Sequence, residues 1–340
     1  MKSDAVRSVA AFALALVIGA LIISVMGVSP VRAYVALVNG AAGNLNSVAE
    51  TLLRAVPLGL AGVGVSIAFR AGAFNVGAEG QLYVGAMASA WTGLAFPFLP
   101  PAVLLALMGL SAVLAGGIWA GIAGVLKAWV NASEMIVTIM LNYVAIFLIN
   151  YLVHGPLKDP ASPLGQTARL ARAAYLPILV GGTRLHVGLI LTAVLAVLFF
   201  FLLRRTSWGF HIRVLGRSPV VAHASGIHVN RVTVSVLVVS GALAGLAGFC
   251  EAAGVQHRMI ENISPGYGYT AIVVALLGQT DPIGVFVAAV LFAALQIGAS
   301  TMESAVGVPS SVITVIQYLV VLLLIGRGAM DLVRARLRRA

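Results

Sequence analysis

Three side chains able to hold a small polar solute, or a proton, fall within one short stretch: Asn75, Glu79 and Gln81. They stand in FRAGAFNVGAEGQLYVGAMASA (69–90), an otherwise apolar run that also carries Gly72, Gly77, Gly80 and Gly85. A carboxylate inside a bilayer costs roughly 2.5–3.5 kcal/mol on insertion scales, so it needs a partner, a proton or a water-filled path. Glycine lets a helix break or lets backbones approach closely. A broken helix beside a polar cluster is the usual build of a midplane transport site. The segment reads as the lining of a solute pathway; its plainer reading is a short loop before an ordinary helix with one paired Glu.

A second constellation is Glu134, Thr138 and Asn142, whose spacing of four puts them on one helix face. Asn142 lies deep in an apolar run, where it serves either an interhelical hydrogen bond or a solute. Glu251 ends another apolar run, as an interface or a pathway residue. Tyr267 and Tyr269 are either interfacial aromatics or planar faces for a ligand. Other chemistry is excluded. No G-x-x-x-x-G-K-[ST] loop is present, so any ATP is bound by another chain. Gly266-Tyr-Gly268-Tyr-Thr-Ala271 fits G-x-G-x-x-A, but without a βαβ unit it is a helix break. No H-E-x-x-H or Cys/His cluster is present, so no metal site is expected. The six histidines are scattered and read as solvated loop residues.

The elements that position these residues are apolar helices. The chain of 340 residues is 61% hydrophobic and 9% charged, with mean hydropathy +1.05. That composition predicts an all-α polytopic membrane protein with a single domain over 1–340 and about ten transmembrane helices, some broken or short. Spans are expected near 8–28, 51–69, 75–95, 102–127, 135–153, 185–203, 232–251, 268–278, 283–301 and 310–326, with 29–50 interfacial. No cleavable signal is evident: the first apolar run is long enough to span. The single cysteine, Cys250, excludes an internal disulfide. The net charge of +11 does not indicate nucleic acid, because the basic residues lie between spans. With both termini inside, about 14 Lys/Arg fall in the cytoplasm and about seven outside, as the positive-inside rule requires.

Two loops stand out. Residues 154–184, with Pro156, Pro160, Pro163 and Pro177, form the longest external insertion. Residues 204–231 are cytoplasmic and basic, with a short amphipathic core at Pro219–Gly226: a docking element for a soluble partner, or a generic basic loop fixing topology. Gly241-x-x-x-Gly245 and Gly117-x-x-x-Gly121 are close-packing patterns. A glycine-rich turn followed by an apolar run occurs at Gly77–Ala88 and again at Gly266–Gly278, as an internal repeat or as a chance likeness.

Five motifs in order, AFNVGAEGQ (73–81), EMIVTIMLNYVA (134–145), RVLGRSPVVAHASGI (213–227), SGALAGLAGFCE (240–251) and GYGYTAIVVALLG (266–278), resemble the permease subunits of bacterial ABC importers. The branch is that of the ribose-type sugar and branched-chain amino acid permeases, and within it the nucleoside (simple-sugar-like) permeases. The resemblance covers roughly residues 50–326. It implies about ten helices and a pathway formed with a second permease, a related but different chain. It implies ATP and magnesium on a separate ATPase with two fused nucleotide-binding domains, and an extracytoplasmic solute-binding protein. It also implies a multi-pass location in the bacterial inner (plasma) membrane. The chain itself would be no enzyme and bind no cofactor. Asn75, Glu79, Gln81, Thr138 and Asn142 would offer polar contacts to a ribose or base, and Phe74 or Tyr269 an aromatic face. Gly209, Arg213, Gly216, Ala222 and Gly226 would belong to the coupling loop that enters the ATPase. The arginine-rich stretch Arg169–Arg184 departs from the pattern; it meets the binding protein or is solvated. The alternative is an ion-coupled secondary transporter in which Glu79 carries a proton. An intramembrane enzyme lacks its motifs, and a structural anchor does not explain polar residues inside several spans.

Overall fold

The computed structural model describes residues 2–319 together with 322 and 323, with side chains from residue 13 on. The end of the tenth expected span and the basic tail lie outside the described residues. Regular structure among the described residues is helical, apart from two isolated antiparallel bridges, Gln166–Ile260 and Ile178–His186. Among the described residues, six helices are long and apolar enough to cross a membrane: Leu45–Arg70, Pro101–Val130, Glu134–His154, Gly188–Arg205, Val229–Gln256 and Pro282–Val306. This is the fold of a polytopic membrane protein.

The chain forms two compact units, one of residues up to Leu52 and from Val290 onward, the other Leu53–Ala289. In the first, α1 (Lys2–Val25) and α2 (Pro30–Ala42) are joined by a sharp bend of 119° between Ala13–Val25 and Pro30–Ala42. Pro30 at the first helical position starts α2, so the stretch expected to be interfacial begins with a helix. Gly40 of α2 packs against Thr301, and Gly298 against the Leu37 backbone.

The second unit holds most of α3 (Leu45–Arg70), α4 (Ala78–Ala95), α5 (Pro101–Val130), α6 (Glu134–His154) and α7 (Gly188–Arg205). It continues with α8 (Ser207–Arg217), α9 (Pro219–Ala224), α10 (Val229–Glu251), α11 (Tyr267–Leu277) and the start of α12 (Pro282–Val306). α10 is its centre: Ser240 to Glu251 is buried almost throughout, packed on α4 and α5. Side chains at its crossing are reduced to hydrogen, and Gly241 and Gly245 meet the Gly116 backbone of α5. Gly117 and Gly121, the other pattern of that spacing, face Val238 more loosely. Ala61, Val65, Ala78, Ala244, Ala271 and Ala275 close the core where α3, α4, α10 and α11 come together.

The expected third and eighth spans depart from simple crossing helices. α4 is preceded by the non-helical segment 71–77, and α11, only 11 residues long, by the irregular stretch 257–266. Such breaks shorten the helix that follows, which is why length alone does not yield ten spans.

Candidate functional site

The first break begins where α3 ends. Gly72 takes φ +76, and the amides of Gly72 and Ala73 return to the carbonyls of Phe69 and Ala68, both at 3.0 Å. This is a Schellman cap, which a residue with a side chain enters only with strain. From Ala73 to Val76 the chain has no regular structure, and its backbone groups need partners that its own helix does not supply. The polar face of α6 supplies them. Glu134 accepts from the Phe74 amide. The Thr138 hydroxyl lies 3.3 Å from the Val76 amide. Asn142 donates to the Val76 carbonyl at 3.0 Å and accepts from the Gly80 amide at 2.8 Å. One face of α6 thus serves the unwound segment beside it.

Asn75 points the other way, into the core, and is fully buried. Its amide exchanges two hydrogen bonds with the Gln81 amide, both 2.9 Å. It also donates to Ser240 at 2.8 Å and accepts from the Gly77 amide at 2.9 Å. All four of its hydrogen-bonding positions are taken.

Glu79 lies in the first turn of α4 and is 2% exposed. Its carboxylate accepts from the Gly268 amide of α11 at 2.6 Å. It also reaches the Ser264 hydroxyl and the Gly266 and Tyr269 amides. Ser264 in turn accepts from the Tyr267 amide at 2.9 Å. The N-termini of α4 and α11 therefore meet, and a Cβ on Gly268 would overlap the Glu79 backbone. Each N-terminus carries about half a positive charge and unsatisfied amides. One carboxylate between two such ends is a local neutralisation, which explains a Glu buried among apolar helices. The two helices then lead to different partners. Gly93 of α4 approaches Leu170, which pairs with His257; α11 leads to Asp281, which pairs with Arg70.

Of the seven expected pathway residues, Asn75, Glu79, Gln81, Thr138 and Asn142 are buried and satisfied by protein. Phe74 and Tyr269 are 46% and 38% exposed. The Tyr269 hydroxyl lies 3.5 Å from Asn142, and the exposed Tyr143 is close by. The structure thus brings together an aromatic outer face over a saturated polar frame. Tyr267, by contrast, is 6% exposed and hydrogen-bonded to the buried Glu251, with Arg54 5.7 Å from its ring centre.

In the loop after α7, Thr206 and Ser218 cap α8 and α9 through their hydroxyls. Gly209 packs on the Leu202 and Leu203 carbonyls and Arg213 donates to Leu203. Gly216 rests on the Arg70 carbonyl, Ala222 is fully buried, and Gly226 takes φ +78. Val220 and Val221 are left exposed on α9.

Sequence reasoning missed Ser240, Ser264, and the cluster of Arg70, Arg204 and Asp281. Ser264 ahead of an apolar run and Asp281 ahead of Pro282 are helix-start signals; the others had none. It also misread His186 as solvated. His186 is 1% exposed, packed against Gly254 and Gly188. Its Nδ1 accepts from the Gly188 amide at 3.1 Å, and Nε2 has no hydrogen-bond partner. Burial, and His257 nearby, push it down to about 4. His257, stacked on Tyr175 with ring centres 3.7 Å apart, is lowered too, first by burial and then by Arg169.

Residues 47–325 match the family described as branched-chain amino acid transport system, permease component. The guanosine ABC transporter permease protein NupP of Bacillus subtilis is 37% identical over 332 residues, 97% of this chain and 95% of its own length. The glucose ABC transporter permease protein TsgB13 of Haloferax volcanii is 37% identical, covering 92% and 84%. The nucleoside ABC transporter permease protein NupB of Lactococcus lactis is 32% identical, covering 88% and 84%.

Proposed function

The chain belongs to the branched-chain amino acid transport system permease family, and from that premise we propose that it carries nucleosides, or related nucleobase or sugar solutes, inward as the membrane subunit of an ABC importer. The observation that carries this reading is the open face of the first helix break. Non-helical backbone at membrane depth is tolerated only when buried in protein or lining water. Gly72 and Phe74 are exposed on this chain, so a second permease and a wet path between the two would cover them. Phe74 and Tyr269 then face the solute. Asn75, Glu79, Gln81, Thr138 and Asn142 hold the wall in shape. Nucleoside-type relatives and the aromatic face both favour a planar base. The glucose relative supports a second reading, a sugar solute.

Further parts of the proposal follow from the family. About ten membrane segments place both termini in the cytoplasm of a bacterial cell, counting α1–α2 once and α4 and α11 as broken spans. A separate ATPase binds ATP and magnesium, and a binding protein delivers solute from outside. α8 and α9 form the coupling element, and the exposed Val220 and Val221 supply an apolar knob for the ATPase.

The test is uptake into proteoliposomes holding this chain, a second permease and the ATPase, fed by the binding protein. Labelled guanosine should accumulate only with ATP, and excess unlabelled guanosine should compete better than glucose. Uptake by this chain alone, driven by a proton gradient, would overturn the reading in favour of an ion-coupled carrier.

A further inference from the structure

The short helix α11 is held at both ends. Its N-terminus is gripped by Glu79. Its C-terminal turn runs through Gln279 and Thr280, at φ +54 and +55, to Asp281. A β-branched residue adopts that conformation only under strain, so the surroundings must hold it. One oxygen of Asp281 accepts from Arg204 at the end of α7, 3.0 Å away, and from Arg70 at the end of α3, 3.4 Å away. The other oxygen accepts from the Gly284 amide at 3.4 Å and so caps α12. Arg70 is also the floor on which α8 stands: a Cβ on Gly216 would run into the Arg70 carbonyl. Arg213 of α8 binds the Leu203 carbonyl, one residue before Arg204, and its charge acts on Arg70.

These contacts close a loop of force. α8 bears on Arg70; Arg70 opens the unwound segment that leads to α4 and Glu79. The same Arg70 is tied through Asp281 to the far end of α11. We propose that Asp281, clamped between Arg70 and Arg204, is the joint through which movement of α8 and α9 reaches both half-helices at once. Asp281 is a positioning residue here and touches no solute. This rests on the reading of α8–α9 as the coupling element. A carboxylate between two guanidiniums suits the task, because charge-assisted hydrogen bonds resist stretching more than neutral ones.

The test is the ratio of solute moved to ATP hydrolysed in the assembled transporter. Asp281→Asn should assemble and hydrolyse ATP, but move about tenfold less solute per ATP, within the range of ordinary coupling free energies. Asp281→Glu should restore part of the ratio. Arg204→Gln, at a half-exposed position, should lower it less and serves if Asp281→Asn does not assemble. Ala222→Trp, on α9, is the reference for the coupling reading. A lowered ratio in Ala222→Trp with unchanged ratios in Asp281→Asn and Arg204→Gln overturns the joint alone. Unchanged ratios in all three overturn the coupling reading and the joint with it.

Discussion

α4 and α11 start from similar chemistry, a glycine-rich break followed by an apolar helix, yet their N-termini are satisfied differently. α4 leans on neutral groups: Asn142 takes the Gly80 amide and Asn75 the Gly77 amide. α11 leans on Glu79 and Ser264. Because the two helix ends converge, one carboxylate serves both dipoles, and a second would repel the first. The lead-ins differ as well. Residues 71–77 carry no titratable side chain, whereas 252–266 packs on His186 and contains His257. The lead-in to α11 thus carries an imidazole that the lead-in to α4 lacks.

Removing the shared charge should break this comparison most severely. Glu79→Ala leaves the α11 amides orphaned and should cost about 3 kcal/mol, the scale of a lost buried charged hydrogen bond. It should also abolish uptake. Glu79→Gln keeps an acceptor and should lose about half as much stability, with impaired uptake and intact assembly. Thermal unfolding of the detergent-solubilised complex reads both; equal stability of Glu79→Gln and wild type would show that charge is not what holds α11.

The neutral side is tested by Asn142→Leu, which frees the Gly80 amide and the Val76 carbonyl. The expected loss is about 2 kcal/mol, with the protein chain around 71–80 becoming more open to hydrogen exchange while α11 stays protected. Matching exchange in both half-helices would mean that they unfold as one element.

The smallest effect should come from acid. His186 titrates near 4 when folded against about 6.5 when unfolded. Between those values the unfolded chain binds the extra proton, so stability falls as pH drops below about 6.5 and the loss levels off near the folded value. By pH 6 it should be on the order of 1 kcal/mol, with exchange rising in 252–266 and not in 71–77. His186→Leu should flatten this acid dependence; persistence of the slope would assign it to another group.

Much of this was legible beforehand. The 3.6-residue period put Glu134, Thr138 and Asn142 on one face, and they do act together. Glycines around a polar cluster marked the first break, and Gly266 the second. The glycine-x-x-x-glycine pattern at Gly241 and Gly245 marked the α10 crossing, and the glycine it meets on α5 is Gly116, just outside the second pattern. For Asn142 an interhelical hydrogen bond and a solute contact stood as alternatives; the unwound backbone claims it, while Gln81, Ser240 and the Gly77 amide claim Asn75. An amide in an apolar run advertises that something polar is near, and does not say whether that is a ligand or the chain's own backbone.

Composition and local spacing alone determined that this chain crosses a membrane in many helices, that two of them break, and which face of α6 is polar, because hydropathy and period act over a few turns. Only tertiary structure decided what those breaks meet. Glu79 finds Gly268 across 189 positions, Asn75 finds Ser240 across 165, and Arg70 finds Asp281 across 211. A buried polar group takes whatever partner packing brings within about 3 Å, since leaving it unpaired costs more than any local preference. That choice belongs to the assembled bundle and to no segment of it.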